Sequence, residues 1–391
     1  MPTIELDFLT DDERECQLAR QYWQLDERGA FRCSVATLGK DYGLSPSSVL
    51  SRVARSCVAF DPEQCCPRCS RRQPFASRAD YTSRRSHDYP KAQICLSCRD
   101  RESTERERGK VQQASDLRAR VQAELDQRRA FDLQPDELSV TDAMYLLSVV
   151  RAGGAEDLTY ICPQDMYREQ LSPTIDLDLA ILNELCAHHV LCVHPGSRSD
   201  TILQEENGYR FYPLRTHWIL PLPENGPSPA RFIQAVEQRV RAEAWPLDEW
   251  SGELASLHRT IALQECLQYL QLKLEEHGFE LHAGEKTTLT LKSILERFTI
   301  GQTYNFIWRS AKDAAAFYQR GSVSKAHAAN TVPGTMQRLA ERAVAEGWDV
   351  KSYRRDRNAP ESALSQLVLT AVLKLPDGGL ASVAPPDANG Y

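Results

Sequence analysis

Four cysteines in two close pairs constrain this chain more than any other feature. Residues 66–69 read CPRC and residues 95–98 read CLSC. A CxxC segment turns tightly, so its two sulfurs converge on one point. Four thiolates satisfy a tetrahedral ion and leave no open position for a reacting water. Cys66, Cys69, Cys95 and Cys98 are therefore expected to hold zinc in a structural role. Cys65 competes with Cys66, through a less usual CxxxC spacing to Cys69; otherwise it packs or stays free. Cys57 reads as a core residue. The acidic start, MPTIELDFLTDDERE, lacks the basic head and apolar run of a secretory signal, which places the chain in the cytoplasm. In that reducing setting, paired cysteines among the twelve of the chain read as metal sites rather than disulfides.

The residues around the cysteines carry a resemblance. A knuckle, a polar Arg-rich excursion and a second knuckle at the start of a long charged helix are similar to a treble-clef or ribbon-type zinc finger over 65–105. Some treble clefs belong to HNH-type nucleases, which place a histidine near the second knuckle. Here His87-Asp88 precedes Cys95, but Arg99 stands where that family has asparagine. No catalytic residue is assigned, and no GxSxG, HExxH or GxGxxG motif is present.

Charge is distributed unevenly. The chain carries a net −7, yet residues 51–130 hold 18 Lys/Arg against 11 Asp/Glu. A local positive field on an acidic chain is the footprint of nucleic-acid binding, although a solvated Arg-rich face has the same composition.

Upstream, CSVATLGKDYGLSPSSVLSRVAR (33–55) has the spacing of two short amphipathic helices, over 35–42 and 46–56. Gly43 supplies a left-handed stop, Ser45 a cap, and Pro46 a first helical position. A preceding helix, DDERECQLARQYWQL, completes a three-helix core. The segment resembles a helix-turn-helix within a module spanning 1–57. That resemblance implies that the second helix reads the major groove with Ser47, Ser48, Ser51 and Arg52, with Arg55 near the backbone. Arg71, Arg72, Arg84 and Arg85 of the finger (58–105) are the further expected contacts.

Beyond the finger, 106–132 reads as a charged linker helix. Residues 133–224 read as two helices followed by short alternating strands, similar in architecture to a winged helix. Its acidity favours docking of a protein. CAHHVLCVH, with Cys186, His188, His189, Cys192 and His194, reads mainly as buried cysteines and rim histidines, a second metal site being the weaker alternative. Residues 229–375 read as an all-α domain and 376–391 as a flexible tail. Within the helical part, Trp308 and Tyr304 are read as core. Lys351, Tyr353, Arg354, Arg355 and Arg357 form a basic, aromatic stretch suited to phosphates and bases or to a solvated hairpin.

The expected fold class is thus mainly α and multidomain. The expected function is a zinc-containing DNA-binding protein, a bacterial regulator or a mobile-element or defence factor. DNA would bind through 33–130 and a protein partner or second copy through 133–375, with no membrane contact. The alternative is an effector or scaffold subunit of a larger nucleic-acid-processing or phage-defence complex, its activity or partner binding lodged in the C-terminal helical domain.

Overall fold

The computed structural model describes residues 4–85, 94–205, 208–280, 283–321 and 323–385. It is mostly helical with small sheets. The chain divides into two compact units, Met1–Gln113 and Ala114–Tyr391. Among the described residues no helix is long and apolar enough to cross a membrane.

In the first unit, local signals set the helix ends. Asp12 caps α1 (Glu13–Trp23), Ser34 caps α2 (Val35–Tyr42), and Ser45 caps α3 (Pro46–Ser56). Gly43 closes α2 at φ 66°, a backbone setting that costs glycine little. Leu18, Tyr22, Leu38, Val49 and Val53 are buried together between these helices. A three-stranded antiparallel sheet runs β1 (Glu5–Phe8), β2 (Cys57–Cys65), β3 (Arg72–Pro74). Strand β2 begins on the residue after α3 ends, so helix and hairpin share one path. Residues 1–57 and the cysteine-bearing hairpin lie within one compact unit.

Helix α4 (Arg78–Arg84) then lays Tyr81 on Phe75 and Phe31. Helix α5 (Leu96–Arg129) is the expected charged helix, longer at its N-terminal end than the segment 106–132. It is polar on most sides and laced by pairs such as Arg106–Glu102 and Arg128–Glu124.

The second unit contains α6 (Val140–Gly153), α7 (Ile175–Ala187), α8 (Pro229–Arg241), α9 (Leu247–Glu275), α10 (Glu285–Leu295), α11 (Ile300–Gln319), α12 (Lys325–Asn330) and α13 (Val332–Ala345). Its last helix begins as α14 (Ala363–Ser365) and continues with π-type bonding over Gln366–Val372. The strands expected after α7 are present but lie in two separate antiparallel pairs. Strand β4 (Cys192–Val193) pairs with β7 (Trp218–Ile219), and β5 (Ile202–Glu205) pairs with β6 (Gly208–Phe211).

Packing does not part at residue 224. Two apolar cores lie side by side in sequence along α9. Trp250, Leu254, Leu257 and Ile261 join α6, α7, α8 and the last helix in one core. Ala262, Cys266, Tyr269, Leu270 and Leu274 join α10 to α13 in the other. Where the two meet, Glu265 is fully buried. It accepts hydrogen bonds from Tyr304 (3.1 Å), Ser365 (2.7 Å) and Arg355 (2.5 Å). Lys273 and Asp356 pair nearby at 2.6 Å. These bonds hold α9, α11, the 353–356 segment and the last helix in register.

Candidate functional site

The four cysteines converge. Their sulfurs all lie within 4.8 Å of one another, with Cys69 and Cys95 Sγ 3.7 Å apart. They come from two different local structures. Cys66 and Cys69 sit in the turn that joins β2 to β3, where the Cys66 amide donates to the Arg71 carbonyl (2.9 Å). The turn needs a left-handed residue, and Ser70 supplies it at φ 56°. Cys95 and Cys98 form the first turn of α5, where the Cys98 and Arg99 amides reach the Cys95 carbonyl.

Helix N-termini stabilise negative sulfur. The Cys95 amide also donates to Cys66 Sγ at 3.4 Å, and this bond draws the Cys66 thiol down to about 6. A hydroxyl from Ser97 lowers Cys95. Cys98 is pushed up to about 12 by the sulfurs around it. Four thiolates this close cannot all ionise without a cation between them, and a divalent ion removes that conflict. The set can therefore hold a metal ion. Cys65 lies outside it, at the end of β2 opposite Arg72. A pair from Arg68 to Glu102 at 2.5 Å joins the first knuckle to α5. His87 and Asp88 lie outside the described residues.

The residues expected to meet DNA divide into two groups. Ser47, Ser51, Arg55, Arg71 and Arg85 are exposed. Arg85 donates to the Tyr81 hydroxyl (2.5 Å) and Arg55 to the Ser51 carbonyl. Ser48 is half-buried and hydrogen-bonded to the cap, Ser45. Three arginines are engaged in ion pairs. Arg52 pairs with Glu15 of α1 (2.7 Å), Arg72 with Glu5 and Asp7 of β1, and Arg84 with Asp80.

Arg78 is a structural residue that composition hid. Its guanidinium lies 4.0 Å from the Tyr22 ring centroid and 4.5 Å from that of Phe31. It donates to the carbonyls of Cys33 (2.7 Å) and Tyr22. Nothing in a run of arginines distinguishes it except its place beside aromatic residues.

In the second unit, Lys351, Arg354 and Arg357 are exposed and Tyr353 is half-buried. Arg355 leaves this set: its guanidinium turns inward to Glu265, and its side chain is 17% exposed. Tyr304 is core, as expected, but Trp308 is 38% exposed and is not.

The cysteines and histidines of CAHHVLCVH do not converge. Burial pushes Cys192 up to about 12 and raises Cys186. His189 contacts Arg128 and stacks on Phe131. His194 lies beside Tyr160. His188 instead bonds Asp142 at 2.8 Å, which raises its pKa. With Glu184 these two make a small acidic cluster, in which Asp142 also serves the α6 cap through Ser139.

No protein-family model, curated protein or solved structure matches the chain. The functional reading rests on its own residues.

Proposed function

We propose that this is a zinc-containing protein that binds duplex DNA through its first unit, as a regulator or a mobile-element or defence factor. One observation carries the reading: α3 runs without a linker into a hairpin whose tip is gathered by four cysteines. We read α2 and α3, joined through Gly43 and with α3 capped by Ser45, as a helix-turn-helix, and the β2–β3 hairpin as its wing. In this reading α3 enters the major groove with Ser47 and Ser51 leading, and Arg55, Arg71 and Arg85 meet phosphates. Arg52, Arg72 and Arg84 have a second role as internal ties, so neutralising them mixes a change of charge with a change of fold. Zinc is favoured by four thiolate ligands with no open position.

The test is fluorescence anisotropy on random-sequence duplex across a salt series. Exchanging Arg55, Arg71 and Arg85 for Gln should weaken binding and flatten the salt slope by roughly 0.9 for each phosphate no longer neutralised. Absence of binding at low salt, or a slope unmoved by the triple exchange, would remove the reading.

The size of the second unit supports a second role for it as a docking or effector body within a larger complex. It comprises residues 114–391 and builds two apolar cores of its own.

A further inference from the structure

The stretch Trp348–Arg357 is irregular in secondary structure but firmly held. Gln302 of α11 donates to the Val350 carbonyl (3.2 Å), Asn305 donates to the Lys351 carbonyl (3.0 Å), and the Tyr353 amide donates to the Gly301 carbonyl (2.8 Å). Gly301 permits this approach. A Cβ there would lie 2.1 Å from Ser352 Oγ and 2.7 Å from the Tyr353 carbonyl oxygen. Two further anchors follow, Arg355 on Glu265 and Asp356 on Lys273. The segment is thus fixed against α11 and α9 by side chains and backbone alike.

The residues it does not use as anchors are of one kind. Lys351, Arg354 and Arg357 are exposed and make no ion pair among the described residues. Trp308 of α11 is 38% exposed and meets Tyr353 edge-on, with ring centroids 6.0 Å apart. Lys312 lies 5.0 Å from the Trp308 centroid. Glu346, at the start of this region, is engaged by Arg342 (2.7 Å) and by the Trp348 indole. The result is a rigid basic and aromatic ridge on an acidic stretch of chain.

We infer that this ridge binds single-stranded nucleic acid, with Trp308 and Tyr353 taking unpaired bases and Lys312, Lys351 and Arg354 taking phosphates. A duplex hides its base faces in the stack, so an exposed indole beside a half-buried phenol and among cations favours a single strand. The site is distinct from the duplex contact of the first unit and does not depend on it.

The experiment uses the full chain and three fluorescein-labelled probes: a dT strand and an rU strand, each of about 20 nucleotides, and a duplex of about 20 base pairs, long enough to cover one such site. Trp308→Ala should weaken single-strand binding roughly tenfold. A double exchange, Lys351→Gln with Arg354→Gln, touches only exposed side chains and guards against misfolding. It should flatten the single-strand salt slope by about 1.4. Both variants should leave duplex affinity unchanged. The inference is overturned if neither single strand binds, if neither variant shifts that binding, or if duplex and single strand weaken alike. Loss of duplex binding alone would count against the first unit's role and leave this one standing. The dT and rU arms tell DNA from RNA.

Discussion

Around the cysteines of the first unit, apolar cover is thin. Over residues 65–71 and 94–100, Cys66 and Cys98 are the buried side chains, and Leu96 is 72% exposed. At the meeting of the two cores in the second unit the reverse holds. Glu265 is fully buried among apolar side chains, and its negative charge is met by one guanidinium and two hydroxyls. One region has little core and four cysteines that can hold an ion; the other has ample core and a complete set of partners for one charge. The first should therefore fail locally and reversibly when its ion is removed. The second should fail throughout when a single partner is taken away.

The largest expected effect tests the first half of that contrast. Structural zinc in small sites contributes on the order of 10 kcal/mol. Stripping the metal with a chelator should abolish amide-exchange protection over 65–72 and 95–105 while leaving 114–391 unchanged. The segment around Phe75 and Tyr81 should also stay protected, because aromatic packing and Arg78 hold it. A global loss of protection would mean that the ion supports more than the hairpin tip.

Glu265→Ala tests the second half. It leaves Arg355, Tyr304 and Ser365 without their acceptor, and breaking a buried pair from one side costs about 3–5 kcal/mol. Urea denaturation should show the whole second unit weakened. Glu265→Gln keeps the shape and accepts part of the bonding, so it should fall between.

Arg78→Ala asks whether the first unit has a polar tie of its own. The change removes two charge-assisted hydrogen bonds and two ring contacts, together about 2–4 kcal/mol. Arg78→Lys should rescue little, since one ammonium cannot serve both carbonyls and both rings. If thermal melting of the variant matches wild type, the aromatic cluster stands without the arginine.

Asp178 gives the smallest and most specific effect. It is buried beside Ser172 and Gln164, and burial raises its pKa from 3.8 to about 6. In the unfolded chain it titrates near the ordinary value, so between these limits the folded state holds more protons. Stability contributed here is present at low pH and falls as pH rises from the unfolded value through about 6. The expected loss is about 2–3 kcal/mol. Asp178→Asn should flatten this part of the melting-temperature profile, and an unchanged profile would place the titration elsewhere.

Much of the first unit was legible because its signals are local. Ser34, Gly43, Ser45 and Pro46 mark helix ends within a few residues, and the CxxC spacing fixes both knuckles. Partnerships across long sequence distances were not legible. Arg52 finds Glu15, Arg72 finds Glu5, and Arg355 finds Glu265 only after the chain has folded. In composition each of these arginines looks like a phosphate contact. The apolar core that takes residues from both sides of position 224 was not legible for a similar reason. The apolar stripe of α9 has one period along its length and does not disclose that its two halves serve different cores.

That helix has a mechanical consequence. At 29 residues it is a rod about 43 Å long. A tilt of about 5° at one end carries the other through about 4 Å. The 353–356 segment is tied to the C-terminal half of this rod through Arg355 and Glu265. The opposite half lies in the core built with α6 and α8, so a single helix is the beam on which both cores of the unit are hung.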